Sequence, residues 1–265
     1  MKKVIIQISL AVILFFGLWF SLAQVNWVKI FDVEKNIDKT EQKLGNLFWK
    51  FFKNSEKENT NIQTTKTIDS IVNHLCNANK IDRKKIKVHI LLKDEINAFA
   101  LPNGHLIIYS GLVLNADSQE ELAGVICHEI AHIELKHVMR KLIRETGISL
   151  LISITTGNGN LEVIKETAKL LSSAAFSREL EKEADMKAVD YLLNAKVNPA
   201  PFADFLYKLS EINPTIPEYL TWVSSHPESK ERAKYVVEYS KQKDADYKTI
   251  ISTKTWEELK NNLKE

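Results

Sequence analysis

The pentapeptide His128-Glu129-Ile130-Ala131-His132 combines two metal-ligating side chains with a carboxylate. On an α-helix, residues four positions apart lie on one face, so both imidazoles can reach a single metal ion. Glu129 lies about 100° around such a helix from His128, beside the metal rather than on it. A carboxylate in that position can act as a general base toward water that the metal activates. The spacing therefore predicts a Zn2+ site with hydrolytic chemistry.

The third ligand must come from another part of the chain. One common extension of this motif has a histidine ten residues after the first, but Val138 occupies that position. His137 is one residue short and would lie about 180° from His128 on a continuous helix. We therefore expect His137 to be structural or to support a ligand from behind.

Two carboxylates later in the chain also have helical spacing. Glu181 and Asp185 are four residues apart, so both project from one face of a helix. One can ligate zinc while the other accepts the free N–H of a ligating histidine. Taken alone, such an acidic run is more often a solvated helix surface. Glu183 points about 200° away from Glu181, which favours solvent exposure for it.

The helix that must carry residues 128–132 has clear start signals. Ser118 and Glu121 form a capping box before the apolar run. Apolar residues follow at mostly helical spacing, and neither glycine nor proline occurs from Val125 to Thr146. The pattern predicts a well-specified helix with both histidines on a buried face.

Four segments together resemble the HtpX and CAAX-prenyl-protease family of zinc metallopeptidases. They are H-E-I-A-H, the S-R-x-x-E-x-E-A-D run of residues 177–185, the N-A-F-A-x-P-x-G run of residues 97–104, and the H-P-x-x-x-x-R run of residues 226–232. The segments occur in the family's order and extend over most of the chain beyond its N-terminal part. The chain is most similar to the short, single-domain members of the bacterial cell envelope.

This resemblance implies a fold and a set of site residues. The fold is an α+β, zincin-like metallopeptidase domain, mainly helical with a small β-sheet. His128, His132 and Glu181 would ligate one Zn2+ per chain, Glu129 would be the catalytic base, and Asp185 would support a ligand. The several transmembrane helices of the HtpX and prenyl-protease branches are missing from the sequence, so we do not expect cleavage of prenylated peptides.

Two further elements are expected to act on the substrate. His226 has three possible roles: a donor that stabilises the oxyanion, a reversible fourth ligand that blocks the water position, or a cap for the next helix. The strand formed by Asn97, Ala98, Phe99 and Ala100 is expected to present an edge to which an extended substrate pairs through backbone hydrogen bonds. That mode of binding suits unfolded or misfolded protein substrates.

Length and charge limit the classes of protein to which this chain can belong. The 265 residues suffice for one sizeable core with appended segments. The formal net charge is +2 with acids and bases interspersed, so no nucleic-acid partner is expected. Cys76 and Cys127 do not make a disulfide framework.

The N-terminus predicts export. Met1-Lys2-Lys3 precedes an apolar stretch from Val4 to Ala23, so residues 1–23 are a signal peptide or a signal-anchor transmembrane helix. The lysines favour a cytoplasmic N-terminus and an external catalytic domain. The protein is therefore expected in the bacterial cell envelope, periplasmic and either membrane-anchored or soluble after cleavage.

The remaining chain divides by composition. Residues 24–65 are predicted as an amphipathic helix and a polar linker, and the helix has an aromatic-basic patch at residues 47–53 that could lie on a membrane or on its own domain. Residues 66–250 are expected to form the zinc metallopeptidase domain, and residues 251–265 are expected to form a C-terminal helix. The apolar run of residues 148–154 is expected to be a buried helix, and His105 is expected at the surface beside a turn. Further helices are predicted at 161–174, 178–195, 200–212, 228–243 and 254–264.

The favoured function is a metalloendopeptidase that serves quality control or processing of envelope proteins. The alternatives are a catalytically latent zinc protein that holds partners like a chaperone, and a zinc hydrolase of a non-peptide amide. The substrate and the oligomeric state stay open.

Overall fold

The computed structural model describes residues 33–157, 159–173, 175–211, 221–227, 229–241 and 246–264. Contacts divide the chain into two compact units, residues 1–40 and 41–265. Of the first unit, residues 33–40 are described, and they form the start of a helix. The predicted signal or anchor segment, residues 1–23, lies outside the described residues. Within the described part of the chain, no helix combines the length and apolar character needed to cross a membrane.

Helices dominate the architecture. In chain order they are α1 (Val33–Ser55), α2 (Ile62–Ala78), α3 (Ser110–Asn115), α4 (Gln119–Glu134), α5 (His137–Thr146), α6 (Ile148–Thr155), α7 (Leu161–Ser173), α8 (Arg178–Asn194), α9 (Ala200–Glu211), α10 (Thr221–Ser225), α11 (Ser229–Ser240) and α12 (Thr253–Lys264). With the small sheet described next, they confirm the predicted α+β fold.

A mixed four-stranded sheet lies among these helices. Its strands are β1 (Lys57–Glu58), β2 (Lys87–Leu92), β3 (Ala98–Leu101) and β4 (His105–Tyr109), in the spatial order β1-β2-β4-β3. β2 and β4 are parallel, whereas β1 pairs antiparallel with β2 and β3 pairs antiparallel with β4. β3 is thus an edge strand of this sheet, as the proposed substrate-binding role requires.

Side chains of β4 alternate between two cores. Leu106 and Ile108 join the core formed with α2, α4, α8 and α9, whereas Ile107 and Tyr109 join the core that includes α1, α5, α6 and α7. Alternation of this kind follows from the two-residue period of a strand. The sheet therefore separates the two cores, and α4 runs beside β3.

α4 is fixed at its start and along one face. The Ser118 hydroxyl accepts the Glu121 N–H, and a Glu121 carboxylate oxygen accepts the Asp117 N–H. This is a variant of the predicted capping box, because the glutamate reaches the residue before the cap. At Gly124 an added Cβ would lie 2.4 Å from the Phe202 Cβ, so the close contact between α4 and α9 requires a glycine there.

Three details differ from the sequence-based expectations. The polar linker predicted at the end of residues 24–65 is folded: Lys57 pairs with Leu92, and the Asn61 side chain caps α2. The apolar run of α6 is buried on one face, but Ile148 and Ile152 are exposed by 41% and 47%. His105 is buried rather than at the surface, because it lies between α1 and β2.

The helix at the motif also ends earlier than the sequence indicated. Lys136 adopts a left-handed conformation with φ 57°, which ends α4 and starts α5 at His137. Lysine carries no local signal for this backbone conformation, so the break was not predictable from residue type. This break in the helix matters for the site, because it brings His137 next to His132.

Candidate metal centre

α4 brings His128 and His132 together. Both side chains are fully buried, and their Nε2 atoms lie 3.0 Å apart. This is the face-sharing arrangement that the spacing of four residues predicted. The Nδ1 atom of each histidine contacts another side chain, Asp185 for His128 and His137 for His132.

α8 packs against α4 and delivers the carboxylate of Glu181. Its oxygens lie 3.5 Å from His132 Nε2 and 3.6 Å from His128 Nε2. Glu181 is buried, so it is not part of a solvated helix surface. Burial alone would raise its pKa, but His226 and Arg232 hold the pKa well below its ordinary value. The carboxylate is therefore ionised and available to a cation.

His226, which follows α10, completes the cluster. Its Nδ1 lies 3.0 Å from Glu181 Oε1 and 3.3 Å from His128 Nε2. The ligand atoms of His128, His132, Glu181 and His226 all lie within 4.8 Å of one another. Burial lowers the pKa of His226 to about 4, so its imidazole is neutral and can donate a lone pair at pH 7.

Asp185 supports the cluster from behind. Its Oδ1 lies 2.8 Å from His128 Nδ1, which leaves His128 Nε2 directed at the cluster. The Arg232 guanidinium donates to both oxygens of Asp185 at 2.7 and 2.8 Å, and Tyr235 donates to one of them. Arg232 Nη1 also lies 2.7 Å from Glu181 Oε2. The Arg232 guanidinium therefore contacts both Glu181, which is a proposed ligand, and Asp185, which supports the proposed ligand His128.

His137 supports His132 in a similar way. Its Nδ1 lies 3.0 Å from His132 Nδ1, and its Nε2 lies 3.2 Å from Glu183 Oε2. The expectation that Glu183 is only a solvent-facing residue was incomplete, because its half-exposed side chain reaches His137. A chain of N–H donors from His132 through His137 to Glu183 fixes the tautomer in which His132 Nε2 carries a lone pair.

The donor set fits a metal ion. Two imidazole Nε2 atoms that have no proton would face each other at 3.0 Å, an arrangement that a cation between them stabilises. Two or three imidazoles with one carboxylate are ligands that suit Zn2+. The buried cluster can therefore hold a metal ion, in agreement with the predicted cofactor.

Glu129 lies beside the cluster rather than within it. Its Oε2 accepts the Ala100 backbone N–H at 3.0 Å, and its Oε1 lies 3.4 Å from His226 Nε2. Burial and the Glu181 carboxylate raise the pKa of Glu129 well above its ordinary value. A bound cation would oppose this rise, because it favours the ionised carboxylate.

The predicted substrate strand reaches the same place. Ala100 directs its N–H at Glu129 and not at β4, so the free edge of β3 borders the cluster. All four residues Asn97, Ala98, Phe99 and Ala100 are buried, and Asn97 Nδ2 donates to the Ser172 carbonyl of α7 at 3.3 Å. The edge is thus covered in this conformation.

Three residues around the cluster were not singled out from the sequence. Trp222 stacks on His226 with ring centroids 4.5 Å apart, and Phe176 stacks on His132 at 4.1 Å. Lys141 is buried with its ammonium 4.2 Å from the centre of the Phe176 ring. Only the helical spacing of Lys141 after His137 could have placed it on the same side, and that signal is weak.

This fold and this site define a metallopeptidase of the zinc type. The model of Peptidase family M48 matches residues 62–240, and the chain therefore belongs to that family. The match does not distinguish the HtpX and prenyl-protease branches, so that part of the resemblance stays a prediction.

Several curated relatives carry similar sequences. Metalloprotease LoiP of Escherichia coli is 26% identical over 182 residues, which cover 66% of this chain and 70% of the relative. The beta-barrel assembly-enhancing protease of Yersinia pestis is 25% identical over 176 residues, 62% of this chain and 36% of the relative. The mitochondrial metalloendopeptidase OMA1 of Arabidopsis thaliana is 27% identical over 151 residues, 57% of this chain and 30% of the relative. The match thus spans about a third of the length of the latter two.

Proposed function

We propose that the protein is a zinc metalloendopeptidase whose metal ligands are His128, His132 and Glu181. The observation that carries the proposal is the convergence of these three buried side chains, with Glu129 beside them and not among them. Zinc, when bound, would activate water and polarise the carbonyl of a peptide bond. The protein would hold one Zn2+ per chain.

Glu129 is proposed as the general base. It accepts a proton from the attacking water and later gives it to the departing amine. The Ala100 N–H that it now accepts would keep its carboxylate in place during this transfer. Asp185 and Arg232 act as positioning residues, because they orient His128 and Glu181 without facing the substrate.

His226 is proposed as a reversible fourth ligand in the conformation described here. Its Nδ1 lies closer to the Glu181 carboxylate than the Nε2 atoms of His128 and His132 do, which favours this role over that of a helix cap. Four protein ligands would leave zinc without an open position. Catalysis would then require His226 to withdraw, after which its imidazole could donate to the oxyanion.

The substrate is proposed to bind as an extended strand along the free edge of β3. The residues that flank Ala100 would supply backbone hydrogen bonds once α7 moves away from Asn97. Recognition through backbone groups favours unfolded or misfolded segments over folded ones.

The proposed location is the bacterial cell envelope, with quality control or processing of envelope proteins as the role. The N-terminal apolar segment supports export. A relative named for beta-barrel assembly is in accord with an envelope site. Attachment to the membrane through residues 1–23 belongs to the same proposal.

The test compares casein cleavage by the full-length wild type with cleavage by Glu129→Gln and Glu134→Gln. Glu134 lies on the same helix but is exposed, so its variant is the matched control. We expect all three proteins to bind zinc and only Glu129→Gln to lose cleavage, by about 100-fold or more. Zinc binding without cleavage in the wild type would contradict the peptidase and favour the chaperone-like alternative. Release of ammonia or acetate from cell-wall amides, with casein intact, would favour the non-peptide hydrolase.

A further inference from the structure

The exposed surface of α6 is apolar and carries no charge. Among the described residues, seven large hydrophobic side chains are exposed, and three of them, Ile148, Leu150 and Ile152, lie within five consecutive positions of this helix. A fourth, Leu161 at the start of α7, is 78% exposed. No charged residue and no histidine occurs from Gly147 to Leu161. Single exposed apolar side chains are common on folded proteins, but a cluster of this kind marks a contact surface.

The exposed apolar side chains are spread around α6 instead of forming one stripe. At about 100° per residue, Ile148 and Ile152 lie about 40° apart, whereas Leu150 lies about 160° from Ile152. The positions between Ile152 and Leu150 hold Ser149 and Ser153. A groove in a partner protein covers a narrow stripe of a helix. A fluid apolar layer can instead surround every exposed side, so the spread favours the boundary of a lipid bilayer.

The opposite face of α6 attaches this helix to the catalytic unit. Leu151 and Ile154 are buried in a core that also contains Leu44 of α1. The Lys43 ammonium donates to the Thr155 carbonyl at the end of α6, 3.3 Å away. The apolar surface is therefore held outward beside α1 and cannot turn into the core.

α6 lies where the N-terminal part of the chain joins the catalytic unit. That unit begins at Glu41, and Lys43, which contacts α6, is its third residue. Residues 4–23 are long enough to cross a bilayer, and the chain from Ala23 to Lys43 spans at most about 70 Å even when fully extended. An anchor at residues 4–23 would thus keep the side of the unit that carries α6 near the bilayer. Such a tether raises the local concentration enough for a weak apolar contact to form.

We propose that the exposed surface of α6, together with Leu161, is a second membrane-contact surface that enters the apolar boundary of a lipid bilayer. The inference rests on the proposed location at the membrane, because residues 1–23 supply the first attachment. Two attachments restrict rotation of the catalytic unit about its tether. The site is then held in one orientation relative to the membrane surface, where unfolded envelope proteins would be presented to it.

The charges that border this segment are balanced. Arg144 Nε lies 3.3 Å from Glu145 Oε1 just before α6, and Lys165 Nζ lies 3.5 Å from Glu162 Oε1 on α7. These pairs can stay in the aqueous layer while the uncharged segment between them meets the lipid. Because the paired charges cancel, the contact depends on apolar surface and not on the charge of the lipid.

The test measures the depth of single labelled positions in the full-length protein. Cys76 and Cys127 are fully buried, so an environment-sensitive fluorophore can be attached to Ser149→Cys, on the exposed side of α6, while both native cysteines are kept. Lys254→Cys, at an exposed lysine of α12, is the control position. The protein is bound to phosphatidylethanolamine and phosphatidylglycerol vesicles with or without doxyl-labelled lipid. We expect doxyl quenching at position 149 to be about 3-fold or more stronger than at position 254.

Two further variants separate this contact from the N-terminal anchor. In the labelled Ser149→Cys protein, Ile148→Gln combined with Ile152→Gln should lower the quenching to the level of position 254. Flotation with the vesicles should persist, because residues 1–23 are unchanged. Ile62→Gln, at an exposed isoleucine of α2, is the matched control and should keep the quenching. Replacing phosphatidylglycerol by phosphatidylcholine should also leave the quenching unchanged.

Four results would overturn the inference. They are equal quenching at positions 149 and 254, quenching that survives both glutamine substitutions, loss of quenching in phosphatidylcholine, and a full-length protein that does not float with vesicles. Without vesicles, a change in fluorescence at position 149 that grows with protein concentration would assign the surface to a second copy of the chain. A change on addition of casein would assign it to the protein substrate. Both assignments would contradict the membrane contact.

The measurement needs neither zinc nor cleavage, so it is independent of the test of the peptidase. Strong quenching at position 149 in a protein that does not cut casein would support the membrane contact and refute the proposed catalytic activity. Cleavage of casein without that quenching would support the peptidase and refute the contact.

Discussion

At the scale of single residues, the site depends on the groups behind the ligands as much as on the ligands. Each of the two motif histidines contacts a separate partner through Nδ1: Asp185 for His128, and His137 for His132. These contacts decide which nitrogen faces the metal. Arg232 links two of the acidic groups, so its planar geometry controls the direction of both carboxylates.

Arg232→Lys should weaken zinc binding about 10- to 100-fold. A lysine keeps the charge but cannot donate to both oxygens of Asp185 while it contacts Glu181. Competition with a zinc-binding dye measures this affinity independently of cleavage. Arg140→Lys, at an exposed arginine, is the control and should bind as the wild type does. Unchanged affinity in Arg232→Lys would refute the positioning role.

The meeting of His128, His132 and Glu181 could be predicted at this scale, but their environment could not. Spacing placed His128 with His132, and Glu181 with Asp185, because a helix brings residues four apart onto one face. The contact of His137 with His132 depends on the left-handed Lys136, for which the residue type gives no signal. The position of His226 in the cluster could be anticipated only as one of three possible roles.

At the scale of elements, the position of α4 is set by its contacts with α8, α9 and β3. α8 delivers Glu181, β3 delivers the Ala100 N–H, and α9 approaches α4 closely at Gly124. A shift of α4 would thus change the geometry of every group in the site.

Gly124→Ala tests the contact between α4 and α9. Alanine stabilises an exposed helix position by about 1 kcal/mol relative to glycine. Here the added Cβ would meet the Phe202 side chain at 2.4 Å, and such overpacking costs about 1 to 3 kcal/mol or more. We expect a net decrease in the free energy of unfolding, measured by chemical denaturation. A variant that is more stable than the wild type would contradict the close contact.

α1 is held to the sheet by a pair of histidines, the buried His105 and the partly buried His89. Trp49 of α1 stacks on His89 of β2 at 3.6 Å, and His89 Nε2 lies 2.8 Å from His105 Nδ1 of β4. Burial lowers the pKa of His89 to about 4, although Glu58 opposes this, and burial with the nearby His89 lowers the pKa of His105 to about 3. Both imidazoles are therefore neutral in the folded protein at pH 7.

Stability should consequently fall in mild acid. Unfolded histidines bind protons below a pKa of about 6.5, whereas the folded pair binds them only near pH 4 or lower. The free energy of unfolding is thus retained above about pH 6.5 and decreases as the pH falls from there toward 4. Each imidazole lowers the free energy of unfolding by about 1.4 kcal/mol per pH unit below 6.5, so the pair should lower it by up to about 4 kcal/mol between pH 7 and pH 5.

Denaturation curves of the wild type, His89→Gln and the control His74→Gln at pH 7 and pH 5 measure this effect. His74 bonds to the Ala195 carbonyl and lies outside the pair. The decrease between the two pH values should be smaller in His89→Gln than in the other two proteins. An equal decrease in all three would show that other groups cause it.

At the scale of the whole molecule, local signals predicted most helices but not their tertiary relations. The observed α7, α8, α9, α11 and α12 agree with the predicted helices to within a few residues, because capping residues and apolar spacing are encoded locally. β1 was missed, since Lys57 and Glu58 are a strand only through pairing with β2. The helix α10, which precedes His226, was also missed, because five residues are too short for a periodic signal.

The assembly of the site is likewise a property of the whole chain. Residues near position 130 and residues near position 181 meet because α4 and α8 pack together, which no local pattern encodes. The resemblance of the four segments to one peptidase family predicted that these residues would lie together. The described residues place the four segments around a single buried cluster.

The central claim is that this cluster holds one zinc ion, and the zinc content of the purified full-length protein tests it most directly. Elemental analysis should find one zinc per chain in the wild type and in Glu179→Gln, whose side chain is exposed. Glu181→Gln, two residues away on the same helix, should lose most of the bound metal because a neutral amide replaces the ligand carboxylate. A wild type without zinc, or equal zinc in both variants, would contradict the account.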